Sequence, residues 1–216
     1  STRPAGCYLI TVRGDDGTRL YVNGTSVAGL DQWTEHVTTT YASVMVNFPT
    51  NSTDLVFDYF ENGGVNEVSF SIIPYNQASN TITPLLTQVC SGVATTIRGS
   101  YDSDDNAGTT PNTNSSFTFS WERNTNGAGW TTISGATGLD YSPPAITTTT
   151  NNVVTQYRRT ATPVNASCSA TVSDPVTITT SPAVPGTPGT ITGTAAQCSA
   201  VTGQVYSIAA VTNALS

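Results

Sequence analysis

Apolar and polar residues alternate with a period of two along most of this chain, and helical periodicity is nearly absent. Tyr8, Ile10 and Val12 alternate with Leu9, Thr11 and Arg13, the pattern of a strand with one buried face. Leu20 and Val22 stand opposite Arg19, Tyr21 and Asn23. Tyr41 to Phe48 places Val44, Val46 and Phe48 on one face, Leu55 to Phe60 forms another strand, and Glu67 to Ile73 turns Val68, Phe70 and Ile72 inward. The breaks between these runs are turn-forming. Asp15-Asp16-Gly17 joins the first two strands, and Asn23-Gly24 closes the next hairpin, since both residues accept the positive φ of a type I′ turn. Gly29 to Val37 reads as a loop holding Trp33 and the only histidine, His36; Pro49 to Thr53 and Glu61-Asn62-Gly63-Gly64 are further turns.

The rhythm of a short strand every eight to twelve residues continues in the second half and predicts an all-β chain of tandem sandwiches. Residues 1–75 form a first, partial sandwich and 76–86 a polar linker. In the next unit, 87–181, Phe117 to Trp121 carries an inward aromatic, and Val154 to Thr160 and Ala170 to Thr179 are later strands. Trp121 lies 31 residues after Cys90 and 47 before Cys168. A Cys…Trp…Cys order in a field of short strands suggests an immunoglobulin-like sandwich, with the indole packed on a Cys90–Cys168 bridge between its sheets. Residues 182–192, with Pro182, Pro185 and Pro188, are a stiff extended spacer. Gln197-Cys198-Ser199-Ala200-Val201-Thr202 then echoes Val89-Cys90-Ser91-Gly92-Val93-Ala94 at a displacement of 108 residues. Residues 193–216 thus read as the first strands of another repeat, and the chain as a window onto a longer multidomain protein.

Composition narrows the class. Lysine is absent, all seven basic residues are arginine, and the net charge is −7, so a phosphate backbone has nothing to bind and nucleic acid is excluded as a partner. No apolar run reaches the ~20 residues that span a bilayer, so no membrane insertion is expected. Four cysteines, none spaced Cys-x-x-Cys, in a Thr- and Asn-rich chain suit an oxidising, extracellular location better than a zinc site or a cytosolic thiol.

Few residues invite chemistry. The Asp15-Asp16 pair either caps its turn through backbone hydrogen bonds or offers hard oxygen ligands to Ca²⁺. Asp102, Asp104, Asp105 and Asn106 before Gly108 read as a solvated loop, lacking the Glu and helices of an EF-hand. Glu61 pairs with Glu67 or Asp58 only as a distant parallel to a glycosidase dyad, and its expected work is to bond backbone amides near Gly63-Gly64. His36 has no nucleophile partner in view. Arg13-Gly14-Asp15 is strand and turn, not a recognition tripeptide. Asn23, Asn51, Asn114 and Asn165 head Asn-x-Ser/Thr sequons. Of Arg158-Arg159, one side chain must face solvent while the other needs a partner, with Glu122 the candidate. Trp33, Trp130 and Tyr21 offer flat apolar faces to sugar rings.

Two resemblances extend this reading. Gly6-x-Tyr8, Asp15-Asp16-Gly17-x-Arg19-Leu20-Tyr21-Val22-Asn23-Gly24, Trp33 and Tyr59-Phe60-Glu61-Asn62-Gly63-Gly64 resemble the protective-antigen-type β-sandwich of toxins, glycosidases and flocculin adhesins, over the C-terminal half to two-thirds of such a domain. In the flocculin branch, paired aspartates joined by a cis peptide bind Ca²⁺, which holds sugar hydroxyls; the resemblance implies Asp15 and Asp16 as metal ligands, with Trp33 and Asn62 near the ligand. Cys90-Ser91-Gly92, Phe119-Ser120-Trp121-Glu122, Trp130-x-x-Ile133-x-Gly135-Ala136-Thr137, Tyr157-Arg158-Arg159 and Cys168 look like the immunoglobulin-like repeats of very large secreted adhesins of gliding bacteria. Together they imply a non-catalytic segment of a cell-surface adhesin, binding a glycan or another extracellular surface beside neighbouring domains of its own chain. The alternatives are accessory modules of an extracellular glycosidase and a stalk without ligand.

Overall fold

The computed structural model describes residues 3–41, 43–64, 66–101, 115–182, 188–193 and 205–209. Those up to residue 182 form two packed β units, with one short 3-10 turn at Gln77–Ser79, and Thr192 and Ser207 form an isolated bridge after them. No helix among them is long and apolar enough to cross a membrane. The acidic run Asp102 to Gly108, the Asn114 sequon and Cys198 lie outside the described residues.

The first unit is a sandwich of two sheets. One contains β1 (Gly6–Asp15), β4 (Thr39–Thr40), β5 (Val44–Phe48) and β7 (Glu67–Pro74), with β1 paired to all the others; the second runs β3 (Thr25–Gln32), β2 (Thr18–Val22), β6 (Leu55–Tyr59). All pairings are antiparallel. Tyr8, Ile10, Val12, Leu20, Leu30, Val46 and Phe48 are buried between the sheets, as the alternation requires. The β2–β3 hairpin turns at Asn23 (φ 48°) and Gly24 (φ 75°), the pair of left-handed residues a type I′ turn needs. Part of the expected 29–37 loop is strand instead: β3 continues to Gln32 because a register shift opposite Arg19 to Tyr21 absorbs Gly29 at φ 89°. By register Phe70 faces the same side as Val12 and Val68 the same side as Gly14, yet Phe70 remains 51% exposed and Val68 39%. The interior is open along the β6 and β7 edges.

In the second unit a sheet ordered β12-β11-β13-β15-β9 is faced by a two-stranded one, β8-β10. Its strands are β8 (Ile82–Pro84), β9 (Gln88–Cys90), β10 (Ile97–Gly99), β11 (Phe117–Thr125), β12 (Thr131–Thr132), β13 (Val153–Pro163), β14 (Thr171–Val172, paired to β13) and β15 (Val176–Ser181). Ile82, Val89, Ile97, Trp121, Tyr157 and Ile178 are its core. The 76–86 stretch, read as a linker, contributes β8 and the buried Asn80 and Ile82. Arg158 points outward, ion-paired to Glu122 at 2.7 Å and lying over the Trp130 ring at 4.2 Å. Arg159 points inward and is fully buried. Its guanidinium donates to Asn80 Oδ1 (2.7 Å), Leu139 O (2.9 Å), Ser100 O and Ser100 Oγ (3.1 Å each). Burial pushes its pKa down to about 10, still protonated at neutral pH. Those bonds replace the water it gave up, and Gly99 beside it has no room for a Cβ.

The two units share a third core. Leu9 and Met45, on the outer face of the first sandwich, pack with Tyr75, Tyr101, Phe117, Phe119, Leu139, Ala161 and Cys168. Tyr75 donates its hydroxyl to Ala161 O (2.9 Å), Ser116 Oγ donates to Ser43 O (2.6 Å), and Asn165 Nδ2 donates to Met45 O. Leu9, expected at a solvent-facing position, is 3% exposed because β1 buries both faces near its start.

A disulfide closes this junction, and it is not the expected one. Cys7 pairs with Cys168 (Cα–Cα 6.0 Å), and Cys90 is an exposed free thiol. Cys90 sits beside Ser181, next to the Val153 end of β13, while Cys168 follows the Pro163 end. Eleven strand residues separate those ends by about 33 Å at ~3.3 Å each, far beyond the ~7 Å Cα limit for a bridge. Trp121 therefore packs on no disulfide; its indole N–H donates to Gly138 O (2.9 Å).

Two outcomes follow for stability. Cys7→Ser should lower unfolding free energy by about 2–5 kcal/mol, read from urea denaturation of oxidised protein, because the bond closes a loop of 161 residues. Burial raises the phenol of Tyr101 from 10.0 to about 12, and also raises Tyr75, Tyr141 and Tyr157. Their neutral forms are favoured in the fold, so that stability is fully present below pH 10 and is lost as pH climbs toward 12. Phenolate absorbance and circular dichroism should then change together in that window.

Candidate metal centre

The β1–β2 turn is shaped by close contacts at its glycines. A Cβ on Gly14 would strike the Thr18 side chain, and one on Gly17 would strike the Phe60 ring. Between them, Asp15 and Asp16 are joined by a cis peptide bond and are 8% and 6% exposed. Two loops close over the pair. From the β3–β4 loop, the His36 N–H donates to Asp16 Oδ1 (2.9 Å) and Thr38 Oγ1 to Asp15 Oδ2 (2.6 Å). From the β6–β7 loop, the Asn62 N–H donates to Asp16 Oδ2 (2.8 Å). Asp16 thus caps both loops at once.

Glu61 completes the cluster. Ligand oxygens of Asp15, Asp16 and Glu61 all lie within 4.8 Å of one another. Glu61 Oε1 accepts from the Gly63 N–H (2.7 Å), the turn role expected of it, while the Tyr59 hydroxyl lies within reach of Glu61 Oε2 (3.0 Å), Asp15 O (2.7 Å) and Asn66 Oδ1 (3.1 Å). Burial first, then Glu61 and the aspartates, raise the Tyr59 pKa. Unit charges this close repel by roughly 3 kcal/mol per pair at an effective dielectric near 20. A divalent cation removes that repulsion, and an all-oxygen donor set suits Ca²⁺. Thr18 Oγ1, buried just past the turn, has no hydrogen-bond partner.

Trp33 is 37% exposed, edge-on to Phe60 (4.7 Å) with the Arg19 guanidinium over its ring (4.4 Å). Asn62 is exposed at the rim, its side-chain amide donating to Glu35. Both ring nitrogens of His36 are engaged, Nδ1 with Val37 O and Nε2 with the Tyr41 hydroxyl, which pins the loop. Glu67 is held in a two-bond pair by Arg13 (2.8 and 3.2 Å), outside the cluster.

Residues 78–182 match DUF8696, a domain of unknown function. The matched stretch is the second unit almost entire, from the 3-10 turn to the end of β15. It begins after the last residue of the acidic cluster, so the cluster belongs to the part of the chain that precedes it. No curated protein matches the chain.

Asp16→Ala should remove the acceptor of two backbone N–H groups on half-buried His36 and exposed Asn62 and destabilise the unit by about 1–3 kcal/mol, at 0.5–1.5 for each hydrogen bond lost. Hydrogen exchange would show protection lost at His36 and Asn62 and retained in the second unit.

Proposed function

We propose that this segment belongs to a secreted, non-catalytic adhesin: the first unit binds a glycan through Ca²⁺, and the second acts as an immunoglobulin-like spacer holding it away from the cell. The observation that carries the reading is the convergence of Asp15, Asp16 and Glu61 at one turn, with Asn62 and Trp33 in the two loops that flank it. Asp15, Asp16 and Glu61 would hold the ion. The ion would supply open coordination positions for paired hydroxyls, and the exposed part of Trp33 an apolar face for a sugar ring. The Cys7–Cys168 disulfide supports an oxidising, extracellular setting.

Calorimetric titration with Ca²⁺ tests the first step. At free Ca²⁺ one hundred times the Kd, unfolding free energy should rise by about 2.7 kcal/mol, and EDTA should reverse it. Asp15→Asn should weaken Ca²⁺ at least tenfold. Glycan-array binding that disappears in EDTA would establish the second step; Ca²⁺ uptake with no glycan captured would favour a stalk module.

A further inference from the structure

Between β14 and β15 the chain steps away from β13. β14 pairs Val172 with Thr160, and β15 takes over only at Val176, opposite Tyr157. Pro175, inside the step, has no N–H to give to the sheet. A groove of about 490 Å³ opens there on the outer face of the sheet, within the roughly 300–1,000 Å³ common to small-ligand sites. Trp130, Arg158, Val172, Asp174 and, from the 3-10 turn, Gln77 line it. The Arg158 guanidinium over the Trp130 ring (4.2 Å) holds both in place. The polar groups of the groove are only half used: Arg158 gives its Nε to Glu122, and Asp174 Oδ1 accepts from Gln77 Nε2 (3.3 Å). Among the described residues, Arg158 Nη1 and Nη2, Asp174 Oδ2, Gln77 Oε1 and the Trp130 indole N–H have no hydrogen-bond partner.

We propose that this groove is a saccharide site of the second unit, one that takes a neutral sugar and needs no metal. A sugar ring has an apolar face of C–H groups and a rim of hydroxyls that both donate and accept. The groove offers a partner for each: the indole surface that Arg158 leaves uncovered, the donors of Arg158, and the acceptors of Asp174 and Gln77. An acidic ligand is disfavoured, because Glu122 and Asp174 outweigh Arg158 locally and the whole chain carries −7. A peptide adding as a further strand is disfavoured as well. β14 is two residues long, and Thr171 O is already taken by Asn80 Nδ2 (3.0 Å). Ca²⁺ takes about six to eight oxygens, far more than Asp174 can supply, so a chelator leaves the groove as it is. The second unit is then a binding module as well as a spacer, and gives the chain a second hold on a glycan-bearing surface.

Metal dependence separates this site from that of the first unit. The full chain is applied, once with Ca²⁺ and once with EDTA, to an array of neutral oligosaccharides, sialylated oligosaccharides and peptides. Neutral oligosaccharides should stay bound in EDTA. Trp130→Ala and Asp174→Ala should each weaken that binding about tenfold, the worth of a stacked ring or of one hydrogen bond to a charged group. Trp130→Phe, which keeps a flat ring, should restore most of it. Thermal melting followed by circular dichroism checks the fold of each variant; should Trp130→Ala melt early, the exposed Asp174 decides alone. If no neutral sugar is held in EDTA, the proposal fails, and capture that needs Ca²⁺ leaves the reading of the first unit standing. If nothing is held under either condition, both fail. EDTA-resistant binding that survives the substitutions, or that goes only to sialylated sugars or to peptides, also overturns the assignment.

Discussion

The packing of Leu9 and Met45 against the aromatic cluster of Tyr75, Tyr101, Phe117 and Phe119 is the contact on which the architecture depends. Without it β1 would be an ordinary half-buried strand, and the two units would be separate bodies. With it, Tyr8, Leu9 and Ile10 are buried in succession, and one strand belongs to two cores at once. Burial of several aromatic side chains of this size gives the junction the character of a domain interior. The Cys7–Cys168 bond then acts on groups already held in place.

The same strand fixes the position of the acidic cluster. Cys7 is near one end of β1 and Asp15 at the other, so about 26 Å of extended backbone separates the brace from the cluster. Whatever binds at Asp15, Asp16 and Glu61 is thus presented at a set distance and angle from the second unit. The buried Arg159 has a comparable role inside the second unit, bonding at once to Asn80 and Ser100 beside the paired β8 and β10 and to Leu139.

Local signals were legible in the sequence. Period-two alternation marked most of the strands, Asn23-Gly24 its hairpin, and Asp15-Asp16-Gly17 the turn that nucleates the cluster. What escaped is non-local. Leu9 occupies a position indistinguishable by alternation from Thr11 and Arg13, and only the neighbouring unit decides its burial. Glu61 reaches the aspartates because β6 pairs with β2, a contact between residues some forty apart. The cysteine pairing was misassigned because spacing along the chain says nothing about which pole of a sandwich each residue occupies. Of the Arg158-Arg159 doublet, alternation required one to turn inward, but the partners that hold Arg159 come from three distant segments.

A disulfide spanning 161 residues also changes what a pull on this protein does. Tension applied at the entry strand and drawn out at Ser181 crosses from Cys7 directly to Cys168, and everything between them hangs beside the path. Stretched out, that bypassed stretch would add on the order of 500 Å to the chain. While the bond is intact none of this length can be released: the first sandwich, with its acidic turn, stays off the load path, and the tension falls on β14 and β15 between Cys168 and Ser181.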